Sequence, residues 1–335
     1  MEIHVIGGVY RELCAWPKDE KLQGSAGRAA LCLAQLNHQI SLHLHSQVGV
    51  DDLNSLQELF MFNGCKLNVD KLEQTTTFDY FHPLSDPVIS PELPREVLPI
   101  FDLSAEKLSN VLLFGMIEAT PLVNGNTVVY DPQNTASPIL FSQSGSCAER
   151  LSYITNKNEL QKFYMADHDE TSTIEAMASW LLSREHAEVV VIKCGDKGAY
   201  VCAEHESGWV PAYKAKKIFT IGSGDSFAAA FSYYWMIKGF SPIESAQKAS
   251  IATSFYVQDC MLNTELALEE YAKTVSEQKV RQNVKNVYLA GPFFTLPEMW
   301  MINECRSVIT SFGMDVFSPY NEVGIGSAEE VVQKD

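Results

Sequence analysis

Two stretches of this chain, Val111–Phe114 and Val128–Tyr130, are apolar without a break, and a third, Val189 to Lys193, is apolar up to its last residue. A strand with one wet face alternates apolar and polar side chains, whereas a strand buried on both faces reads as a continuous apolar run. Segments with helical spacing lie between these runs, Thr171 to Ser183 among them. Buried strands alternating with amphipathic helices define an α/β fold whose mostly parallel central sheet is covered on both faces. Ligands of such sheets bind beyond the carboxyl ends of the strands, so the glycines and carboxylates there are the first candidates for chemistry.

The densest of these candidates is Phe219-Thr220-Ile221-Gly222-Ser223-Gly224-Asp225-Ser226-Phe227, followed by an apolar helical run to Ile237. A glycine-rich turn that opens a helix leaves its first N–H groups without intrahelical partners, at the positive end of the helix dipole. That arrangement accepts an anion. Asp225 adds a carboxylate that could take a proton from a hydroxyl, and an anion cradle with a base suits phosphoryl transfer. The same residues also fit a plain helix start capped by Asp225 or Ser226.

Four further motifs precede this one. Val5-Ile6-Gly7-Gly8 is a strand and turn, and Gly24-Ser25-Ala26-Gly27-Arg28 opens a helix that runs to Leu36. Asn156-Lys157-Asn158-Glu159 and Val191-Ile192-Lys193-Cys194-Gly195-Asp196-Lys197-Gly198-Ala199 follow later. In this order the five resemble the ribokinase-like (PfkB) sugar and nucleoside kinases, over roughly residues 1–270. The resemblance implies a ribokinase-like sheet with a small β lid. It also implies an ATP- and Mg2+-dependent phosphotransferase with Asp225 as base and the amides of Gly222, Ser223 and Gly224 as the anion hole.

On the substrate side the resemblance selects Glu12, Gly24, Arg28 and Asp51. On the nucleotide side it selects Lys193, Gly195, Gly198, Thr220 and Ser250, and it gives Asn156 and Glu159 to Mg2+. Each has a plainer reading: loop acid, helix cap, hairpin turn or helix packing. Three residues depart from the family pattern. Glu12 replaces an aspartate, and Arg28 stands where an asparagine usually holds the sugar. Phe219 replaces an acid associated with a monovalent cation. An arginine in a sugar pocket favours an acceptor carrying phosphate or carboxylate.

Thr75 to Phe81, with Lys66 to Val69, reads as the lid sheet, and Pro83 to Pro99 as a loop. Ser241 to Val257 reads as a helix with Pro242 at its start. Glu265 to Gln282 reads as a charged helix, so that 271–285 links the first domain to a second at 286–335. In the latter, Asn286–Ala290 is a strand, Glu298 to Phe312 a helix ended by Gly313, and Met314 to Phe317 a second strand: a partial Rossmann- or flavodoxin-like βαβ unit. Its Tyr288-Leu289-Ala290-Gly291-Pro292-Phe293-Phe294 is similar to the opening half of nucleoside 2-deoxyribosyltransferases. A lone βαβ buries too little to stand by itself. It has to dock on the first domain, pair in a homodimer or with a partner chain, or belong to a longer protein.

A net charge of −17 argues against nucleic acid or an anionic membrane as partner. The eight cysteines form no C-x-x-C pair, which fits reduced thiols in a cytoplasmic protein. Two functions stay open: a kinase for a sugar or nucleoside, or a catalytically drifted nucleotide- or nucleoside-sensing relative that works with a deoxyribosyltransferase-like partner or domain.

Overall fold

The computed structural model of the protein describes residues 1–92, 98–133, 137–279, 286–311 and 314–319. By internal contacts the chain divides into two compact units, Met1–Pro83 with Pro87–Gln278, and Leu84–Asp86 with Lys279–Asp335.

The first unit begins with strand β1 (Glu2–Ile6), the hairpin β2 (Arg11–Cys14) and β3 (Asp19–Leu22), then helix α1 (Gly24–Leu36). Next come β4 (Ser41–Gly49), α2 (Leu53–Phe62), β5 (Cys65–Leu72), β6 (Thr77–Tyr80) and β7 (Val88–Ser90). After them β8 (Ile100–Phe114), β9 (Thr120–Asp131) and β10 (Cys147–Asn156) lead into α3 (Lys157–Asp167) and α4 (Ile174–Arg184). The unit closes with β11 (Val189–Lys193), β12 (Ala199–Ala203), β13 (Ser207–Val210), α5 (Ser223–Ser232), α6 (Pro242–Asp259) and α7 (Glu265–Ala272).

Nine strands pair in the order β13-β12-β11-β10-β9-β8-β1-β4-β5. All neighbours from β5 to β11 run parallel, and β12 and β13 add an antiparallel edge. Alternate residues of β1 explain why both faces are covered: Ile3 and Val5 pack with α1, α5 and α6, while Ile6 joins the opposite cluster, where α3 and α4 contribute Phe163, Met177 and Leu181. The lid is a separate sheet in the order β3-β2-β6-β7.

Several expectations change. Lys66 to Val69 lies in β5, at the edge of the main sheet rather than in the lid, because it pairs with β4 from Leu42 to Gly49. Part of the expected proline-rich loop is β7, paired with β6 through Val88, Ile89 and Ser90. β8 and β9 extend well beyond their apolar cores, and only residues 115–119 join them, where a parallel crossover ordinarily needs a dozen or more. The ribbon shifts register between Leu103 and Lys107, and Leu113, Gly115, Thr120 and Pro121 line one small cavity, so the two ends of the ribbon lie together. The charged helix after Thr264 stops at Ala272, after which the Lys214 amide donates to the Ser276 carbonyl and the Gln278 amide to the Ala212 carbonyl.

In the second unit, β14 (Val287–Tyr288), α8 (Leu296–Ser311) and β15 (Val316–Phe317) form the expected βαβ, with β14 and β15 parallel. The helix stop expected at Gly313, residues 320–335, and the end of the charged helix at Gln282 lie outside the described residues. Among the described residues, no helix is long and apolar enough to cross a membrane.

Candidate active site

Three strands end side by side in the parallel sheet: β9 at Asp131, β10 at Asn156 and β11 at Lys193, with Asn156 and Lys193 register partners. Lys193 Nζ donates to Asp131 Oδ2 at 2.5 Å. Burial raises the Asp131 carboxyl to about 7, although Lys193 opposes this. Burial alone would lower the Lys193 ammonium, but Asp131 and Glu159 beside it raise it. The other Asp131 oxygen, Oδ1, is buried without a hydrogen-bond partner among the described residues. An orphaned carboxylate oxygen at a strand end is costly unless a water, a ligand or an ion meets it.

The glycine turn meets this row from above. Gly222 has φ +81, the left-handed conformation, and α5 starts at the next residue. A methyl group on Gly224 would stand 3.3 Å from Lys193 Nζ, so the first turn of α5 lies against that lysine. Asp225 is only 6% exposed. Its Oδ2 accepts from Arg28 Nη1 at 2.6 Å, and its Oδ1 accepts from Gln133 Nε2. Arg28 Nη2 donates to Glu12, and Arg28 Nη1 also reaches the Gly24 carbonyl at 3.3 Å. Burial works against the charge on Arg28, yet Glu12 and Asp225 keep it firmly protonated. Burial raises Glu12, with Arg28 acting the other way.

Arg28 also shapes the turn: a methyl group on Gly222 would meet its Nε at 2.1 Å. The guanidinium thus lies against the glycine turn and bonds both carboxylates. Arg28 was expected to face an acceptor's anionic group; in this structure both of its carboxylate partners come from the chain itself.

The remaining predicted residues divide. Asn156 and Glu159 form a reciprocal cap: Glu159 N donates to Asn156 Oδ1 at 2.9 Å, and Asn156 N to Glu159 Oε2 at 3.0 Å. Glu159 is buried and also takes the Thr155 hydroxyl at 2.8 Å, but it acts electrostatically on both Lys193 and Asp131, so the cap borders the site. Thr220 donates its hydroxyl to the Pro83 carbonyl at 2.5 Å. Gly195 has open space around it, whereas a methyl group on Gly198 would meet the Val210 carbonyl at 2.0 Å, so Gly198 serves the β11–β12 hairpin. Ser250 is buried and donates to the Pro211 carbonyl at 2.6 Å. Asp51 is exposed, and its neighbour Asp52 is the buried acid, paired with Arg11 of the lid strand β2.

Sequence reading did not single out Gln133, Asp131, Tyr10 or Glu118. Gln133 carries a φ of +43, uncommon for a residue other than glycine, and that backbone aims its amide at Asp225. Tyr10 donates to Glu118 at 2.8 Å, and burial raises Glu118 to about 7. The available signal was the Asp131-Pro132-Gln133 strand end.

The fold defines the class. The chain superimposes on a Thermotoga maritima ribokinase with a TM-score of 0.61 at 18% identity, over 81% of this chain and 99% of that one. A Vibrio cholerae fructokinase, determined with fructose, ADP and calcium ion bound, gives a TM-score of 0.60 at 16% identity, over 81% and 98%. The chain therefore has the ribokinase-like α/β fold. Within it, residues 151–267 match the pfkB family of carbohydrate kinases. A Listeria monocytogenes 5-dehydro-2-deoxygluconokinase is 28% identical over 124 residues, 35% of this chain and 38% of the relative. A Salmonella typhimurium deoxyribokinase is 27% identical over 99 residues, 30% of this chain and 31% of that protein. These matches span less than two fifths of either relative.

Proposed function

We propose that this chain is a phosphotransferase that moves a phosphoryl group from ATP to a hydroxyl of a sugar or nucleoside, with Asp225 as general base. The observation that carries this reading is the placement of Asp225. It is buried in the first turn of α5, beside Lys193, at the row of strand ends formed by Asp131, Asn156 and Lys193.

In this reading the acceptor hydroxyl enters against Asp225 and gives it a proton as the oxygen attacks. The Gly222 and Gly224 amides at the head of α5 hold the negative charge of the transferred group, the Ser223 amide being already bonded to the Thr220 carbonyl at 3.0 Å, and Lys193 stands beside them. Gln133 holds one Asp225 oxygen and so orients the other. The named relatives, which act on sugars or sugar acids, and the fructokinase bound to ADP support the choice of acceptor and donor.

Hard oxygen donors suit Mg2+, and the partnerless Asp131 Oδ1 beside Glu159 is where such an ion would be accommodated. Asn156 and Glu159 would hold it with Asp131, and it would neutralise nucleotide phosphate charge.

A second reading rests on Arg28. Its guanidinium covers the glycine turn and ties up the base, as expected of a nucleotide-sensing relative whose acceptor side has closed. The βαβ unit, similar to nucleoside deoxyribosyltransferases, would then serve a nucleoside-handling partner.

Incubation with ATP, Mg2+ and a panel of sugars, sugar acids, sugar phosphates and nucleosides separates the two. Turnover that falls by about 10²–10⁴-fold in Asp225→Asn, with ATP binding retained, supports the kinase. ATP binding without product on any acceptor supports the sensor. Arg28→Asn sharpens the comparison. An enzyme that uses Arg28 on an anionic acceptor loses at least about tenfold in kcat/KM, whereas a closed site gains turnover on neutral sugars.

A further inference from the structure

Away from the glycine turn, three histidines meet on one face of the sheet. His4 of β1 and His43 of β4 are register partners, and His45 follows two residues along the same face. Their neighbours Ile3, Val5, Leu42 and Leu44 point to the other face and fill the core. His4 and His45 are each 8% exposed, and His43 is half-buried.

One ring nitrogen from each of the three lies within 4.8 Å of those of the other two. His4 Nδ1 and His45 Nε2 are 3.0 Å apart, and a single proton must serve that contact. His45 Nδ1 is buried with no hydrogen-bond partner among the described residues. At the rim, the Glu2 carboxylate reaches His43 Nε2 at 2.9 Å and His4 Nε2 at 3.6 Å.

A core that only needed filling would place aliphatic side chains here, as Val111 does beside His4 on β8. Three imidazoles instead bring three ring nitrogens together in a largely buried place, where lone pairs that face one another are unfavourable unless a proton or a metal stands between them. Tetrahedral Zn2+ with Zn–N bonds of about 2.0–2.1 Å sets its ligands about 3.3 Å apart, so small ring rotations bring this cluster to that spacing. We propose that His4, His43 and His45 form a site for a divalent transition metal of the Zn2+ class, with the Glu2 carboxylate available as an oxygen ligand.

Imidazole with one carboxylate selects Zn2+, Co2+ or Ni2+ over Mg2+ or Ca2+, so this site does not compete for the kinase's own ion. Burial, followed by the neighbouring rings, keeps His45 neutral and able to ligate, its pKa lowered to about 4. Two charges bear on the cluster from adjacent strands: Glu106 of β8 favours a cation, and the exposed Lys66 of β5, register partner of His43, opposes one. A bound metal would pin β1 to β4 through Glu2, His4, His43 and His45.

The test uses the full chain, stripped with a chelator and reloaded with Zn2+ or Co2+. About one Zn2+ per chain should survive gel filtration, raise the melting temperature, and bind at least about tenfold more weakly in His43→Gln. His43 is the ligand nearest solvent, and its variant should melt at the same temperature as the metal-free parent. Co2+ loading gives a second readout that needs no variant: tetrahedral d–d bands without a thiolate-to-cobalt charge-transfer band. The proposal is overturned if no metal is retained, if His43→Gln binds it unchanged, or if the Co2+ spectrum shows thiolate ligation, for which exposed Cys147 and Cys305 are the obvious source.

Discussion

Arg28 decides more at this site than any other single side chain. It is 3% exposed, lies on Gly222, and pairs with two carboxylates that would otherwise be buried facing one another. Removing one member of such a network leaves charges that water cannot reach, at a cost of about 3–5 kcal/mol. Arg28→Met is therefore expected to lower the urea midpoint. The sign with pH follows from Glu12, whose carboxyl burial already raises and Arg28 opposes. Without Arg28 it rises further, so the added penalty is felt above the ordinary carboxylate range and relieved below it. The gap between Arg28→Met and the parent should narrow in acid, and urea melts on either side of the carboxylate range measure it. Glu118 gives a second case, its carboxyl raised from 4.5 to about 7 by burial. A raised carboxyl favours the folded state at low pH and loses that contribution as pH climbs through about 7. Glu118→Gln should gain stability relative to the parent between those two values, by at least about 2 °C in melting temperature.

Among the elements, the hairpin β11–β12 holds two glycines whose backbone constraints differ. Gly195 and Gly198 both have positive φ, +60 and +89, but only Gly198 faces a backbone carbonyl where a methyl group would go. Gly195→Ala pays the left-handed penalty of roughly 1–2 kcal/mol, whereas Gly198→Ala adds a clash with the Val210 carbonyl. Thermal melts should rank Gly198→Ala well below Gly195→Ala, and equal losses would contradict the geometry. α4 and α6 are ordinary by comparison, each capped by a hydroxyl, Thr173 and Ser241, accepting from the third residue on. The start of α6 was readable from Ser241-Pro242 because capping is local chemistry. The place of β5 was not, since whether Lys66 to Val69 joins the lid or the main sheet depends on which edge is free.

Over the whole molecule, every residue of the two apolar clusters that cover the main sheet precedes Lys279. The first compact unit thus contains its own core on both faces. A chain ending at Gln278 should unfold in one cooperative transition within a few degrees of the full protein, by calorimetry; a lost or broadened transition would show that the second unit completes the core. The net charge of −17 sits over a candidate site that gathers its own cations, Lys193 and Arg28, so an anionic ligand of the proposed kinase would have to be held by those and by helix amides rather than by the overall field.

What the amino-acid sequence determined by itself was set over short separations. Continuous apolar runs marked the parallel strands, the Gly222–Gly224 turn marked the head of α5, and the Asn156–Glu159 spacing, assigned to Mg2+ with a helix cap as its plainer reading, marked the start of α3, where the two residues cap each other. Period and turn chemistry act between residues a few positions apart, so they can be read directly. The tertiary structure alone decided that Arg28 would meet Asp225 across 197 positions, that Gln133 would hold the other oxygen of that carboxylate, and that three histidines from β1 and β4 would share one face. Those meetings depend on strand order and on how helices pack over the sheet, which no local pattern encodes.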